Sequence, residues 1–356
     1  MARKKILYWL GAGASANALP IVHEMPASFY SHINWVTNMA GSQPSYAHAL
    51  RQLSQVVEPY GTPDTYARAL YLQGGKQNEL DDLKLHLSYF FMIEQLYSAK
   101  KQTSPPYEKH YAIDPRYMGW LALLLQQGSV MRDGVNVLSW NYDLQIQHAL
   151  TKYTNVVQLQ DVQAHGNWSC YPDFGTAGKI SGRLPFLVQL NGMAGLVDYQ
   201  GNQRLLADDL IDADVRKTLS RWFSIYNSRH AQQVPVHEQM RDTFTFAWEN
   251  SRVALEARQH AKRLMEQTEV LVVIGYSFPL FNREVDRELV DAFIEPYRML
   301  AAPEGEKHAK RVVIQNPSPN AVDDFIEIFE WNRPTAFPEV KHVTGTSSFH
   351  VPSEMF

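Results

Sequence analysis

The stretch Ile6–Leu10 (ILYWL), followed by Gly11-Ala12-Gly13-Ala14-Ser15, decides the predicted fold. Its first five residues are all apolar, which is typical of a strand buried on both faces of a parallel sheet. The small residues after it complete the pattern Gly-x-Gly-x-x-Ala with Ala16. After a strand, this pattern forms a tight turn that opens a helix and brings backbone N–H groups close to a pyrophosphate. Packing between a strand and a helix also selects small residues, so both interpretations stay open here.

Three further apolar segments lead into special loops. Val135–Ser139 precedes Trp140-Asn141-Tyr142-Asp143, Val270–Ile274 precedes Gly275-Tyr276-Ser277-Phe278-Pro279, and Arg311–Gln315 precedes Asn316-Pro317-Ser318-Pro319. Helical patterns lie between them, over 144–152 with Asp143 as cap and over 283 to about 294 with Asn282 as cap. Alternating strands and helices predict an α/β fold with a Rossmann-like, doubly wound parallel sheet and helical insertions.

The predicted Rossmann-like domain comprises residues 1–25, 127–195 and 265–356. Residues 26–126 are rich in helix formers and aromatic residues, with Pro26 near a helix start and a long helix over 78–100, so they are predicted to form a helical insertion. Residues 196–264 are predicted to be a second, mostly helical segment. Residues 166–183 contain several Gly, Ser and Pro residues and are predicted to be a loop.

The amino-acid composition disfavours or excludes several classes of function. The 356 residues include 33 basic and 37 acidic side chains, for a net charge of −4, so direct nucleic-acid binding is not indicated. The single cysteine, Cys170, excludes a disulfide framework and any zinc site built on two or more cysteines. No run of about 18 apolar residues exists, and the apolar N-terminal run stops at Gly11, so we expect a cytoplasmic protein without a membrane span.

A dehydrogenase is not favoured, although the glycine pattern is compatible with one. Such enzymes place an acidic residue about twenty positions later to hold the ribose hydroxyls. Here that place falls at residues 29–32 (FYSH), inside a predicted helix and without an acid.

The Asn141-Tyr142-Asp143 loop has two interpretations. Asn141 is an ordinary turn residue and Asp143 an ordinary helix cap. Loops at the carboxyl ends of parallel strands also form the ligand crevice of this fold class, where an Asn amide could hold a ribose or order a water molecule.

Taken together, the four strand-and-loop motifs resemble the sirtuin superfamily, and its prokaryotic sirtuin-like branch most closely. The resemblance rests on residues 11–15, 140–143, 274–279 with Asn282, and 315–318. It implies a Rossmann-like domain that binds NAD and cleaves its nicotinamide glycosidic bond. Sirtuin deacylases usually carry a zinc ribbon of four cysteines, so a single cysteine implies a member without zinc. Members of that kind often resemble NAD hydrolases of bacterial anti-phage defence.

The resemblance also assigns roles to residues. Asn141 would hold the nicotinamide ribose and a water molecule, and Asp143 would support the nicotinamide side. The predicted cofactor contacts are Gly11, Ala12, Gly13, Ser15, Asn191, Gly275, Ser277, Phe278 and Asn316. For three of these a plainer role competes: Ser15 as a helix cap, Phe278 as a core residue and Asn316 as a turn residue.

The catalytic base has two candidate positions. In the family it lies in a His-Gly pair, and His165-Gly166, 24 residues after Asn141, is the only such pair in this chain. His165 is therefore the predicted base. In a competing alignment, residues 186–192 (FLVQLNG) take the place of the strand that ends in His-Gly, with Asn191 where the histidine should be. An amide would then replace the base, and the protein would be slow, would use another histidine, or would bind NAD without cleaving it.

The predicted function is hydrolysis of NAD to nicotinamide and ADP-ribose in anti-phage defence. The resemblance implies a homo-oligomer or assembly with an ATPase/helicase or an Argonaute-like partner. Three alternatives stay open: a sensor that binds NAD or ADP-ribose without cleaving it, a protein deacylase, and an interaction subunit of a defence complex. The missing cysteines disfavour the deacylase.

Overall fold

The computed structural model describes most of the chain. The described ranges are 4–100, 113–127, 129–156, 158–164, 169–174, 186–199, 202–207, 214–230, 240–299, 310–330 and 339–356.

A seven-stranded parallel sheet, flanked by helices, gives the described chain an α/β Rossmann-like fold, as predicted. From one edge to the other, its strands are β12 (Glu339–Val343), β11 (Arg311–Gln315), β10 (Val270–Ile274), β1 (Ile6–Leu10), β4 (Val135–Ser139), β6 (Leu187–Gln189) and β5 (Cys170–Tyr171). Every pair of neighbours in this order is parallel. The four predicted strands begin and end at the predicted residues.

The register of the central strands positions the site. Leu10 at the end of β1 lies opposite Ile274 on one side and Ser139 on the other. Because these strands are parallel and end together, the loops after β1, β4 and β10 leave the same edge of the sheet. β1 and its two neighbours, β4 and β10, are buried almost throughout, which explains why their sequences are almost continuously apolar.

Ten helices occupy the described part of the chain. They are α1 (Met25–Ala40), α2 (Pro44–Val57), α3 (Pro63–Gln73), α4 (Gln77–Lys100), α5 (Pro115–Leu124), α6 (Gln145–Thr154), α7 (Val215–His230), α8 (Arg252–Gln267), α9 (Arg283–Met299) and α10 (Ala321–Ile328). Side-chain caps begin several of them. Thr62 accepts from the Thr65 N–H at 3.0 Å at the start of α3, and Ser251 accepts from the Ala254 N–H at 3.2 Å at the start of α8.

Helices α1 to α5 lie between β1 and β4, in the part of the chain predicted to be a helical insertion. Buried aromatic rings join its helices: Phe29 of α1 meets Phe90 of α4 edge to face, with ring centroids 4.7 Å apart. A buried polar contact crosses the same interface, where His32 Nδ1 lies 2.9 Å from Glu94 Oε2. A short hairpin follows, formed by β2 (Leu125–Gln126) and β3 (Val130–Met131).

The segment 196–264 differs from the mostly helical prediction. It begins with an antiparallel sheet in the order β8 (Asn202–Leu205), β7 (Leu196–Tyr199) and β9 (Met240–Asp242). Part of this sheet pairs strands that are distant in sequence, β7 with β9, and α8 packs against α9 beside the main sheet. The short strand β5 likewise lies within the segment predicted to be a loop, where pairing with β6 overrides local sequence preference.

The glycine pattern opens a shorter helix than expected. A 3-10 helix spans Ala12–Ser15, and the first α-helix begins only at Met25. No helix in the described ranges is both long and apolar enough to span a membrane.

Candidate functional site

A cleft opens at the carboxyl edge of the sheet. It holds a cavity of about 110 Å³ within about 810 Å³ of space that is partly open to solvent. We call its first side the sheet wall, defined by Ala12, Ser15, Trp140, Asn141, Tyr142, Asp143, Asn191, Gly275, Tyr276, Ser277, Pro279 and Asn282. The opposite side, the insertion wall, is defined by Pro63, Asp64, Leu87 and Phe91. Leu19, Pro20, Val22 and Met25 line the cleft between the two walls.

The glycines of the first motif serve backbone packing. The Gly13 N–H donates to the Gly275 carbonyl at 2.9 Å, and the Gly11 N–H donates to the Ile274 carbonyl at 3.0 Å. A Cβ at Gly13 would lie 2.8 Å from the Gly275 Cα, and Gly275 itself has φ +61°. Neither Gly11 nor Gly13 lines the cleft, because their N–H groups already bind the neighbouring loop. The predicted phosphate contact of Gly11 and Gly13 stays a prediction, and from the same loop Ala12 and Ser15 line the cleft.

An arginine supports the glycine loop from behind. Arg116 Nη2 donates to the carbonyls of Gly13 and Ala14, at 2.9 and 3.2 Å. Its Nε donates to Asp114 Oδ1 at 2.8 Å, and Asp114 also accepts from the Asn17 N–H at 3.0 Å. The sequence did not indicate a role for this buried Arg116–Asp114 pair, because the glycine loop that it binds lies about one hundred positions earlier in the chain.

Ser15, Asn141 and Asp143 come together on the sheet wall. Asn141 Nδ2 donates to Ser15 Oγ at 3.2 Å, and Ser15 Oγ also lies 3.2 Å from the Tyr117 hydroxyl. Asp143 Oδ1 accepts from the N–H of Gln145, the first residue of α6, at 3.0 Å, although the N-cap residue is Leu144 and not Asp143 as predicted. Burial raises the pKa of Asp143 to about 6, against the opposing hydrogen bonds from Gln145 and Ser15. The carboxyl therefore changes charge close to neutral pH, as acid–base groups in active sites do.

Asn191 also reaches the sheet wall. β6 lies beside β4, and the Leu190 N–H donates to the Ser139 carbonyl at 2.9 Å, so the chain after β6 leaves at the edge where Asn141 lies. The Asn191 amide is bound on both of its polar atoms: Nδ2 donates to the Trp140 carbonyl at 2.9 Å, and Oδ1 accepts from the Ala247 N–H at 2.8 Å. His165, the predicted base, lies outside the described residues. Within those residues, no histidine lines the cleft.

Two predicted cofactor contacts, Phe278 and Asn316, are not among the residues that line the cleft, although Asn316 Nδ2 donates to the carbonyl of the lining residue Tyr276 at 3.5 Å. Phe278 is buried in the core, where its ring meets Phe325 and Phe329 at centroid distances of 5.4 and 5.3 Å. Asn316 closes its own turn, because Oδ1 accepts from the Ser318 N–H at 2.9 Å. For both residues the structure favours the plainer role. Gly275 and Ser277, by contrast, line the cleft.

The insertion wall brings an acid that no motif indicated. Tyr142, the middle residue of the Asn-Tyr-Asp motif, donates its hydroxyl to Asp64 Oδ1 at 2.5 Å. The Phe244 ring stacks on Tyr142 with centroids 4.3 Å apart and fixes the direction of that hydroxyl. Burial raises the pKa of Asp64, and the hydrogen bond from Tyr142 opposes this shift. Leu87 and Phe91 of α4 complete the wall with apolar surface.

The site offers no metal centre in the described chain. No group of three or more His, Cys, Asp or Glu side chains is suitably placed to hold a metal ion there. The polar groups of the cleft are instead amides, hydroxyls and two carboxyls. Such a set can hold sugar hydroxyls and a water molecule, and can stabilise positive charge.

Comparison with protein-family models gives no match, and neither does comparison with curated proteins. Among solved structures, the chain is similar to a Sir2 enzyme at TM-score 0.38 and 12% identity, covering 95% of this chain and 86% of the other. It is similar to Sir2Tm bound to a propionylated peptide at TM-score 0.37 and 12% identity, covering 95% and 87%. A Sir2 variant with a deacetylated p53 peptide and 3′-O-acetyl ADP-ribose gives TM-score 0.34 and 12% identity, covering 95% and 88%.

Proposed function

We propose that this chain is an NAD glycohydrolase, which cleaves NAD to nicotinamide and ADP-ribose. The observation that carries the proposal is the convergence of Ser15, Asn141, Asp143 and Asn191 on one cleft. Ser15 and Asn141 are 126 positions apart in the sequence, and Ser15, the Asn141–Asp143 pair and Asn191 each follow a different strand of the sheet. The resemblance of the same motifs to the sirtuin superfamily supports NAD as the ligand.

The chemistry suits the side chains of the cleft. Nicotinamide leaves as a neutral molecule from a cationic ring, so its departure needs no general acid. The site must stabilise an oxocarbenium-like transition state and direct a water molecule. In this proposal, the Asn141 amide holds the ribose hydroxyls and the water, with Ser15 Oγ fixing its orientation. The Asp143 carboxylate supplies negative charge beside the developing cation. His165 stays the base that the sequence predicts.

The biological setting rests on the sequence resemblance. We propose a cytoplasmic effector that depletes NAD during anti-phage defence. A homo-oligomer, or an ATPase/helicase or Argonaute-like partner, would switch it on. A rise of specific activity with protein concentration would be the simplest sign of activation by self-assembly.

The test is nicotinamide release from NAD by the purified chain over a range of protein concentrations. Asn141→Ala should lower the rate at least about 10²-fold, because it removes an interaction that strengthens in the transition state. Asn78→Ala is the matched control, since Asn78 is exposed on the far end of the insertion. An Asn141→Ala protein with full activity would contradict the proposal.

A second function is favoured by one observation: protein groups already bind both polar atoms of the Asn191 amide. In the alignment that places Asn191 at the family's histidine position, the cleft has no histidine base within the described residues. The chain would then bind NAD or ADP-ribose as a sensor or as an interaction subunit of a defence complex. Calorimetric binding of NAD without nicotinamide release, at any protein concentration, would support this alternative.

A further inference from the structure

Asp64 is placed in the cleft by the start of α3. Pro63 occupies the first turn of that helix, and the Thr62 hydroxyl accepts from the Thr65 N–H at 3.0 Å. Proline and a threonine cap together fix where the helix begins. Asp64 is therefore held on a rigid element, opposite the sheet wall that carries Asn141.

The two carboxyls of the cleft differ in what already binds them. Asp143 is buried and accepts from the N–H of Gln145, the first residue of α6. Asp64 is half-buried, and its donor within the described chain is the Tyr142 hydroxyl on Oδ1. No described residue donates to Oδ2 of Asp64, so that oxygen is available to a water molecule in the cleft. Asp64 is thus the better placed of the two to accept a proton.

Among the described residues, no cationic side chain forms an ion pair with Asp64. Tyr142 and Tyr276 approach it from the sheet wall, and Asp143 lies in the same cleft. Arg68, one turn further along α3, points elsewhere: its Nη2 lies 3.8 Å from Glu284, and its guanidinium lies over the Trp248 ring. Burial raises the pKa of Asp64, which brings its titration closer to neutral pH than that of an exposed aspartate.

We propose that Asp64, supplied by the helical insertion, is the general base of the hydrolysis, with Tyr142 as its positioning residue. This inference rests on the proposed NAD glycohydrolase function. As the C1′–N bond of NAD breaks, its electron pair leaves with nicotinamide. The water oxygen forms the new bond to C1′, and its proton moves to Asp64 Oδ2 before passing to solvent. One NAD and one water give nicotinamide, ADP-ribose and one proton.

The first test compares Asp64→Asn with the wild type. Asparagine keeps the shape and the acceptor for Tyr142 but cannot take a proton, so kcat for nicotinamide release should fall about 10²-fold or more. KM should change less than about threefold, because binding contacts stay. The rise of the rate with pH that follows ionisation of Asp64 should disappear. Glu58→Gln, which removes an exposed carboxyl just before α3, is the matched control.

The second test uses Tyr142→Phe, which keeps the ring but removes the donated hydrogen bond. Without that bond the pKa of Asp64 should rise further, so the acidic limb of the pH–rate profile should move to higher pH. Formate should restore part of the rate to Asp64→Ala, because it can occupy the vacated space and accept the proton. A purely structural role for Asp64 would produce neither effect.

The outcomes separate this inference from the function on which it rests. A wild type that releases no nicotinamide overturns both. An active wild type with Asp64→Asn at full rate and an unchanged pH profile overturns only the role of Asp64. If His165→Ala loses the acidic limb while Asp64→Asn keeps it, His165 is the base and the inference is wrong. If Asp64→Asn does not fold, an unmoved acidic limb in Tyr142→Phe decides against it.

Discussion

The two walls of the cleft are built by different means. Backbone hydrogen bonds hold most of the sheet wall together, such as those from the Gly13 N–H to the Gly275 carbonyl and from the Leu190 N–H to the Ser139 carbonyl. Hydrogen-bonded side-chain amides lie between these backbone contacts. The insertion wall is held to it by side chains, of which the Tyr142–Asp64 contact is the clearest. A wall fixed by backbone tolerates little change in its glycines. A wall fixed by side chains can shift while the fold survives.

The largest effect is expected where the sheet wall allows no side chain. In Gly275→Ala, the new Cβ would lie 2.5 Å from the Gly13 carbonyl carbon, at a residue with φ +61°. Backbone strain and overpacking together should lower the free energy of unfolding by about 4 kcal/mol. Urea denaturation measures the change. Gly345→Ala is the control, because its Cβ would meet nothing within 4 Å. Equal stability of the two variants would mean that the loops of β1 and β10 are not locked together.

The next effect concerns Arg116, which joins the insertion to the glycine loop. Arg116→Leu would leave the fully buried Asp114 without its partner and the Gly13 and Ala14 carbonyls without a donor. Breaking a buried pair from one side should cost about 3 kcal/mol or more in urea denaturation. Arg252→Leu, at an exposed arginine with surface ion pairs, should cost less than about 1 kcal/mol. A similar loss in both variants would argue against Arg116 as the residue that joins α5 to the glycine loop.

The third expected effect is a gain in the stability of the fold, whereas the first two are losses. The folded-state pKa of Asp143, about 6, lies above its ordinary value of 3.8, so the fold is most stable when this carboxyl is protonated. That stability is present below about pH 4 and is lost as the pH rises through about 6. Asp143→Asn keeps the acceptor for the Gln145 N–H and removes the charge, so it should stabilise the fold at pH 7 by about 2 kcal/mol while lowering nicotinamide release.

Thermal melting at pH 4 and pH 7 checks this prediction. The gain from Asp143→Asn should be large at pH 7 and small at pH 4. A gain that is the same at both values would mean that the stabilisation does not come from the carboxyl's charge. Retained activity in the same variant would separate Asp143 from the chemistry altogether.

The sheet side of the molecule could be predicted because its signals are local. Four strands were located to the residue, since continuous apolar runs such as Val270–Ile274 end in glycine or asparagine turns. The motif residues Ser15, Asn141, Asp143, Gly275 and Ser277 then met at one edge because parallel strands end together.

The other parts of the fold and of the site depend on contacts between residues that are distant in sequence. Asp64 is an ordinary first-turn residue of an amphipathic helix, and only the folded chain brings it to Tyr142, 78 positions away. The short strands β5 and β12 exist because neighbouring strands offer hydrogen bonds, which a window of two to five residues does not reveal. The close backbone neighbours of Gly11 and Gly13, at Gly275 and Tyr276, are also distant in sequence, so the glycine pattern alone does not reveal them.

The smallest expected effect tests whether the insertion wall binds substrate or only encloses it. Phe91 lines the cleft, with its ring centroid 5.2 Å from that of Tyr142, whereas Phe90 on the same helix faces Phe29 in the interior. Phe91→Leu and Phe90→Leu should each cost about 1 kcal/mol of stability. Only Phe91→Leu should raise KM for NAD, by about two- to threefold, with kcat unchanged. A fall in kcat instead would show that this wall positions the Asn141 loop for the reaction, because binding would be intact while the reacting groups had moved.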